Sequence, residues 1–379
     1  CQGEIDGLFE RANYLSKVAV EALQADEFTD KHDHIRKIEH TPLGVIFVIS
    51  AWNYPLLITI NSIIPALLSG NTVLLKHSAL TPKIGKHFES AFKKLGNFDN
   101  LLLQTVTTHE MTGQCIEKLP IDHVIFTGSV NGGRAILNHC TKKFISPTLE
   151  LGGKDAAYVH KDAQIKNSAA SVIDGAMFNS GQSCCGLERC YVHESVYDSF
   201  IEEAKKVISQ YKLGDPNDPT TNIGPLAQKK AKDLIEDQLQ EAKEQGAIIE
   251  YGGQFKTISE GLFLEPTIVV NTNQGMKIMQ EENFAPILAV MKVSSINKAI
   301  EYVNDSDFGL TSAIYTSDVK VAKYFSDRVE TGSVFMNRCD YLDPALAWVG
   351  VKNSGMGFSL SKYAFKSVTR KKSLNFKTS

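Results

Sequence analysis

Cys184 stands in Gln182-Ser183-Cys184-Cys185-Gly186, a glycine-flanked stretch between an apolar helical run and a β-rich run. A thiol on such backbone can approach a ligand closely enough to act as a nucleophile, because glycine removes the bulk that keeps chains apart. The same pattern also accommodates an inert thiol buried as a small apolar group. Glu150 precedes Gly152-Gly153 at the end of a β-rich run. There a carboxylate can activate water for a ligand at the sheet edge, or simply face solvent. Asn53, in Ala51-Trp52-Asn53-Tyr54-Pro55, follows another such run, where its amide can donate to an oxyanion or satisfy a turn. Gly128-Ser129-Val130-Asn131-Gly132-Gly133 follows a short apolar run and opens a helical one. Backbone amides there suit a diphosphate, although the spacing is not a strict G-x-G-x-x-G fingerprint.

These residues need elements to hold them. Short β-rich runs alternate with amphipathic stretches, the signature of a parallel sheet covered by helices. The first series predicts strands at 45–49, 72–76, 101–106 and 123–126. Helices are predicted at 57–68, from Pro82 to about 95 with Thr81-Pro82 capping, at 111–118 and from about 131. After the Gly152-Gly153 bend a second series places strands at 156–159, 189–193, 287–293 and 312–316, with helices at 163–177, 195–210, 296–303 and 319–329. Residues 34–40 and 368–376 alternate like strands but stand apart from both series. They read either as edges that pair with other chains or as exposed edge strands of this chain alone.

A chain of 379 residues exceeds what one core usually serves, so two domains are expected. With 43% apolar and 22% charged residues the composition is that of an ordinary globular protein, and a net charge of −3 offers no field for nucleic acid. No apolar stretch reaches membrane-spanning length. Seven cysteines without a regular framework or zinc-finger spacing imply free thiols in a reducing, cytoplasmic compartment and no metal. The chain opens at Cys1 inside an amphipathic run, so an upstream stretch is expected to be missing.

Taken together, Pro42-Leu43-Gly44-Val45, Trp52-Asn53-Tyr54-Pro55, Phe126-Thr127-Gly128-Ser129, Leu149-Glu150-Leu151-Gly152-Gly153-Lys154, Gly181-Gln182-Ser183-Cys184, Gly224-Pro225-Leu226 and Glu281-Glu282-Asn283-Phe284 resemble the aldehyde dehydrogenase superfamily in order and spacing. The resemblance covers nearly the whole chain, and the 34 positions from Glu150 to Cys184 match the family's base-to-nucleophile interval. It implies an α/β fold with a Rossmann-type cofactor domain (residues 1–152, with a bridging strand at about 33–42) and an α/β catalytic domain (153–352). A return segment with a small β oligomerisation strand (353–379) completes it, and the family assembles as homodimers or homotetramers.

The resemblance further implies that Cys184 attacks an aldehyde, that Asn53 and the Cys184 amide hold the oxyanion, and that Glu150 activates the hydrolytic water. Lys76, Gly128, Ser129, Gly133, Glu282, Phe284 and Trp52 would contact NAD or NADP. Tyr54, Ile58, Asn61, Ser183, Cys185 and Trp348 would line the aldehyde tunnel; none is a cation, so an uncharged aldehyde is expected. The chain departs from the family at three places: Ala79 where NAD-restricted members often carry a carboxylate, Ala285-Pro286 in place of Gly-Pro, and a closing loop from Trp348 to Gly355 that lacks one glycine. Competing readings are a non-catalytic member, an acylating enzyme that passes the thioester to coenzyme A, and a cysteine hydrolase pairing Cys184 with His193. Glu150 speaks against the second, and cofactor motifs against the third.

Overall fold

The computed structural model describes residues 2–96, 100–339 and 341–378; Cys1, where the opening helical run was expected to begin, lies outside them. Two compact units emerge, one comprising Cys1–Leu151, Leu342–Val349 and Gly355–Ser379, the other Gly152–Tyr341 and Gly350–Ser354.

The first unit is built on a six-stranded sheet in the spatial order Gly355–Met356, Thr148–Glu150, His123–Thr127, Val45–Ile49, Thr72–Lys76, Leu102–Thr105. All neighbours are parallel except Gly355–Met356. Side chains alternate across a strand, and here both faces are buried: Ile46 and Val48 join one core cluster, Phe47 and Ile49 another. Helices Leu57–Leu68 and Pro82–Lys93 cover the first face, and His109–Lys118 and Val130–Thr141 the second. This is the doubly wound α/β arrangement expected.

The long first helix, Gln2–Ala22, also serves this unit. Leu56 at the N-cap of Leu57–Leu68 has no group to cap with, so Glu4 Oε1 accepts from the Leu56 and Leu57 amides at 3.0 and 3.3 Å. Thr81, expected to cap Pro82–Lys93, makes no side-chain cap bond; its hydroxyl is engaged with His77 Nδ1 at 3.0 Å. Tertiary contact outcompetes the local cap here.

The second unit carries a seven-stranded sheet in the order Ile248–Tyr251, Thr267–Val270, Ile287–Val293, Leu187–His193, Asp155–Val159, Thr311–Tyr315, Ser333–Met336. Only the first of these strands is antiparallel to its neighbour. Along Ile287–Val293, Ile287 and Ala289 enter one cluster and Leu288 and Val290 the other. The helix Ala231–Glu244 and the strands Ile248–Tyr251, Thr267–Val270 and Ser333–Met336 had no counterpart in the sequence reading.

The two isolated segments pair with each other. His34–Pro42 and Thr369–Lys377 run antiparallel through nine residue pairs, with Asp26–Phe28 on the far side of His34–Pro42, so Thr369–Lys377 keeps one open edge. No described helix is long and apolar enough to cross a membrane.

Candidate active site

In the first unit, strand register sets the candidate residues in a row. Ile49 pairs with Lys76 on one side and Phe126 on the other, Phe126 with Leu149, and Thr127 with Glu150. The Asn53 loop, Lys76, Gly128 and Glu150 therefore all stand at the carboxyl edge of one parallel sheet. From Val45–Ile49 the chain winds outward to Thr72–Lys76 and Leu102–Thr105, then returns to the other side at His123–Thr127. A crevice at that reversal is where open α/β sheets take ligands.

Each residue has a local cause. Ala51–Pro55 is tied down because Pro55 O accepts from Thr59 Oγ1 at 2.8 Å and from His77 Nε2 at 3.0 Å; Trp52, Asn53 and Tyr54 are half-buried on this turn and Ile58 lies one helical turn further on. Lys76 is buried, makes no ion pair among the described residues, and is pulled below the usual lysine range by desolvation. Ser129 Oγ caps Val130–Thr141 by accepting from Gly132 N at 3.2 Å, while the Gly128 amide is spent on the Glu150 carbonyl at 3.0 Å. Gly133 faces the Leu151 side chain: a β-carbon there would sit 2.5 Å from Leu151 Cδ2, so that leucine would have to shift.

The Glu150 carboxylate accepts from Thr127 Oγ1 at 3.1 Å and from Ser359 Oγ in a very short bond. Burial pushes its pKa up, opposed first by Ser359, then by Thr127 and by the charge of Arg11. Trp348 is buried and pairs across from Ser359 in the closing hairpin. That hairpin needs no additional glycine: Trp348–Val349 is extended, and left-handed backbone falls on Lys352, Gly355 and Gly357. Asn61 is buried, and its Oδ1 accepts from Arg11 Nη1 at 3.2 Å. The tunnel candidates contain no cation, yet one of them holds a guanidinium.

In the second unit the candidates gather at the opposite kind of edge. Gly152–Lys154, Gly181–Gly186 and Glu281–Pro286 each lead into the amino end of a strand, at Asp155, Leu187 and Ile287, and those three strands are neighbours. They pack closely. A β-carbon on Gly153 would lie 2.4 Å from Cys184 O, one on Gly152 2.5 Å from Glu282 Oε2, and one on Gly181 2.0 Å from Ala285 O. Asn179, Ser180 and Gly181 run consecutively through left-handed backbone just before the cysteine loop, conformations that cost ~1–3 kcal/mol each for side-chain-bearing residues and persist only where surroundings enforce them. The enforcement is visible: Ser180 Oγ donates to Gly224 O at 3.1 Å and accepts from Gly224 N at 2.9 Å, and Gln182 Oε1 accepts from Ala227 N at 2.8 Å. The Gly224-Pro225-Leu226 motif thus braces the cysteine loop.

Cys184 is half-buried, whereas Cys185 is buried with its Sγ 3.4 Å from the buried Ser183 Oγ. Glu282 accepts from Gly153 N at 2.9 Å, and burial followed by the charge of Glu188 raises its pKa to about 7. Phe284 takes a positive φ of 54°, so Ala285 after it needs no glycine conformation and closes the turn by donating to Asn283 Oδ1 at 3.0 Å. His193 lies at the far end of the seven-residue strand Leu187–His193 and bonds Ser195. At ~3.3 Å per residue that strand separates the imidazole from the Cys184 loop by about 20 Å, which removes the hydrolase pairing.

Sequence reading missed Ser359, Arg11 and Glu188. Ser359 and Arg11 are remote in sequence from Glu150 and Asn61 and carry no motif. Glu188, four residues after Cys184, gave a signal as a charged residue inside an apolar strand. Among the described residues no cluster of three His, Cys, Asp or Glu could hold a metal.

The whole pattern is matched elsewhere. Residues 1–374 match the aldehyde dehydrogenase family. An aldehyde dehydrogenase of Paenarthrobacter nicotinovorans is 35% identical over 330 residues, 87% of this chain and 72% of that protein. The D-glyceraldehyde dehydrogenase (NADP(+)) of Thermoplasma acidophilum is 33% identical over 88% of this chain and 68% of its own. Betaine aldehyde dehydrogenase from Staphylococcus aureus, solved in complex with NAD+, superposes with a TM-score of 0.94 at 28% identity, covering 99% of this chain and 76% of that one. The chain belongs to the aldehyde dehydrogenase family, and it is an enzyme.

Proposed function

We propose that this enzyme oxidises an aldehyde to a carboxylic acid with NAD or NADP, through a thiohemiacetal and then a thioester on Cys184. The observation that carries this reading is the mutual packing of the Cys184 loop, Gly152–Lys154 and the Glu281–Pro286 turn, in which Gly153 and Gly181 lie too close to backbone carbonyls to carry a side chain. The donor set also suits the cofactor. Lys76 offers a buried cation without a carboxylate partner among the described residues, and the helix N-terminus at Ser129 stands at the same sheet edge, which together fit an anionic ribose-phosphate. Lys76, Trp52, Gly128, Ser129 and Gly133 would hold the adenosine and phosphate parts, Glu282 and Phe284 the nicotinamide ribose and ring.

The Cys184 thiolate adds to the aldehyde carbon, and the Asn53 amide and Cys184 backbone N–H stabilise the oxyanion. Bound NAD or NADP supplies the acceptor for the hydride whose loss leaves a thioester. Glu150 then takes a proton from water as that water attacks the thioester, and the acid departs as the thiolate is restored. The reading assigns residues 1–152 to cofactor binding and 153–352 to catalysis, and six free thiols among the described residues accord with a reducing, cytoplasmic setting.

Two variants test this division of labour. Cys184→Ala should show neither burst nor turnover; Glu150→Gln should give a stoichiometric burst of reduced cofactor, an acyl adduct on Cys184 by mass spectrometry, and a slow steady rate. An adduct on Cys185, or unchanged turnover in either variant, overturns the assignment. Thioester transfer to coenzyme A in place of hydrolysis would support the acylating alternative.

Arg11 beside Asn61 favours a second reading of the substrate, an aldehyde bearing a carboxylate, over the uncharged aldehyde expected from the tunnel residues. In that case a four-carbon acid semialdehyde should exceed butanal in kcat/KM by about tenfold or more, and Arg11→Met should erase the preference. Equal or reversed kcat/KM for the two aldehydes restores the uncharged substrate.

A further inference from the structure

Glu188 is nearly inaccessible, at 3% exposure, inside a strand whose other residues are mostly apolar. The register shows how it gets there. Asp155 pairs with Leu187 and Ala156 with Arg189, so Glu188 is the extra residue of a β-bulge between the two central strands. A bulge re-aims a side chain at the expense of one ladder position, and bulges recur beside active sites. Here the re-aimed carboxylate receives four contacts. Lys154 Nζ donates at 2.5 Å, Asn283 N at 2.9 Å to one oxygen and 3.2 Å to the other, and Phe284 N at 3.0 Å. Lys154 is itself fully buried, and its carbonyl accepts from Arg189 Nε at 2.8 Å.

This arrangement ties three motif segments to a single group. Lys154 follows the Gly-Gly bend, Glu188 follows the cysteine loop, and Asn283-Phe284 follows Glu282, whose own carboxylate binds the Gly153 amide at 2.9 Å. Without Glu188, the amides of Asn283 and Phe284 would be buried without acceptors, and the left-handed Phe284 would lose the contact that enforces its conformation. We propose that Glu188, locked by Lys154, is a positioning residue that preforms the nicotinamide-ribose side of the cofactor pocket by fixing Glu282 and Phe284 before the cofactor arrives. This rests on the cofactor roles given to those two residues above.

A plain structural role for the ion pair predicts that replacing both charges with apolar groups restores everything. Positioning predicts otherwise, because the two amides still lack their acceptor. In Glu188→Leu, which leaves the two amides no side-chain acceptor, hydrogen exchange at Asn283 and Phe284 in the cofactor-free protein should accelerate at least about tenfold, and the Kd for reduced cofactor, read by nicotinamide fluorescence, should rise by a similar factor. The burst at saturating cofactor should stay stoichiometric. The double variant Glu188→Leu/Lys154→Met should recover the wild-type Tm but neither the slow exchange nor the Kd, and it keeps the test open if Glu188→Leu alone fails to fold. Recovery of exchange and Kd along with Tm, or a Kd within about twofold of wild type in a folded variant, overturns the proposal. A wild-type protein that binds no cofactor at all would instead count against the functional reading, while the exchange rates would still decide the positioning of the turn.

Discussion

At the scale of residues, the two acid groups proposed for catalysis and cofactor binding are tuned differently. Glu150 is pushed up by burial and pulled back by two hydroxyls and the charge of Arg11; Glu282 reaches about 7 because burial and the charge of Glu188 act in the same direction. In its proposed role Glu150 acts as a base only when ionised, so hydrolysis should rise with pH through its pKa. Ser359→Ala removes the strongest group favouring the carboxylate, leaving burial less opposed, so this limb should move to higher pH. On the acidic side the steady rate should fall at least about tenfold, consistent with ~1.5–3 kcal/mol for a hydrogen bond to a charged group. The burst, which precedes hydrolysis, should be unchanged. A steady-state profile that keeps its wild-type midpoint would show that Ser359 does not tune the base.

At the scale of elements, strand ends in the first unit and strand beginnings in the second hold the residues proposed for the chemistry, and the residues just past a strand belong to that proposal as much as those within it. Strand Thr72–Lys76 ends on the buried lysine, and the chain continues through Ser78 to an exposed Ala79. A carboxylate at that position would repel a 2′-phosphate; alanine does not. NADP should therefore support turnover within roughly tenfold of NAD, a gap of about 1.4 kcal/mol, as judged from the two kcat/KM values. An NADP value lower by about a thousandfold would refute this. Ala79→Glu should then depress NADP use selectively.

At the scale of the whole molecule, the small sheet of Asp26–Phe28, His34–Pro42 and Thr369–Lys377 is the element with least reason to stand alone. Its last strand leaves an unpaired edge, and Ile35 and Phe376, direct cross-strand partners, are 50% and 54% exposed. Open edges and exposed apolar pairs are covered by association in native proteins. The chain of 41.8 kDa should therefore weigh two or four times that figure by light scattering. Ile35→Lys with Phe376→Glu, which keeps a complementary pair within the sheet, should lower the mass. A monomeric mass for the wild type at every concentration would refute the assembly.

The order and spacing of the motifs were enough, without any structure, to define the family, the alternating α/β rhythm and the residues proposed for catalysis. The reason is that strand and helix periodicity are local and the chemistry sits in short contiguous segments. The strands 45–49, 72–76 and 287–293 and the helix 57–68 were legible on that basis. Tertiary packing was needed for everything that depends on residues far apart in sequence meeting. Thr81 lost its cap to His77; residues 34–40 found their partner more than three hundred positions away; Ser359 reached Glu150; Arg11 reached Asn61; a bulge swung Glu188 onto Lys154 and Phe284. A buried polar group takes whichever partner the packed chain brings within hydrogen-bond distance, and leaving it unpaired costs more than any local preference is worth. Propensity and spacing therefore specify which elements form, while the satisfaction of buried charge specifies how the site is held.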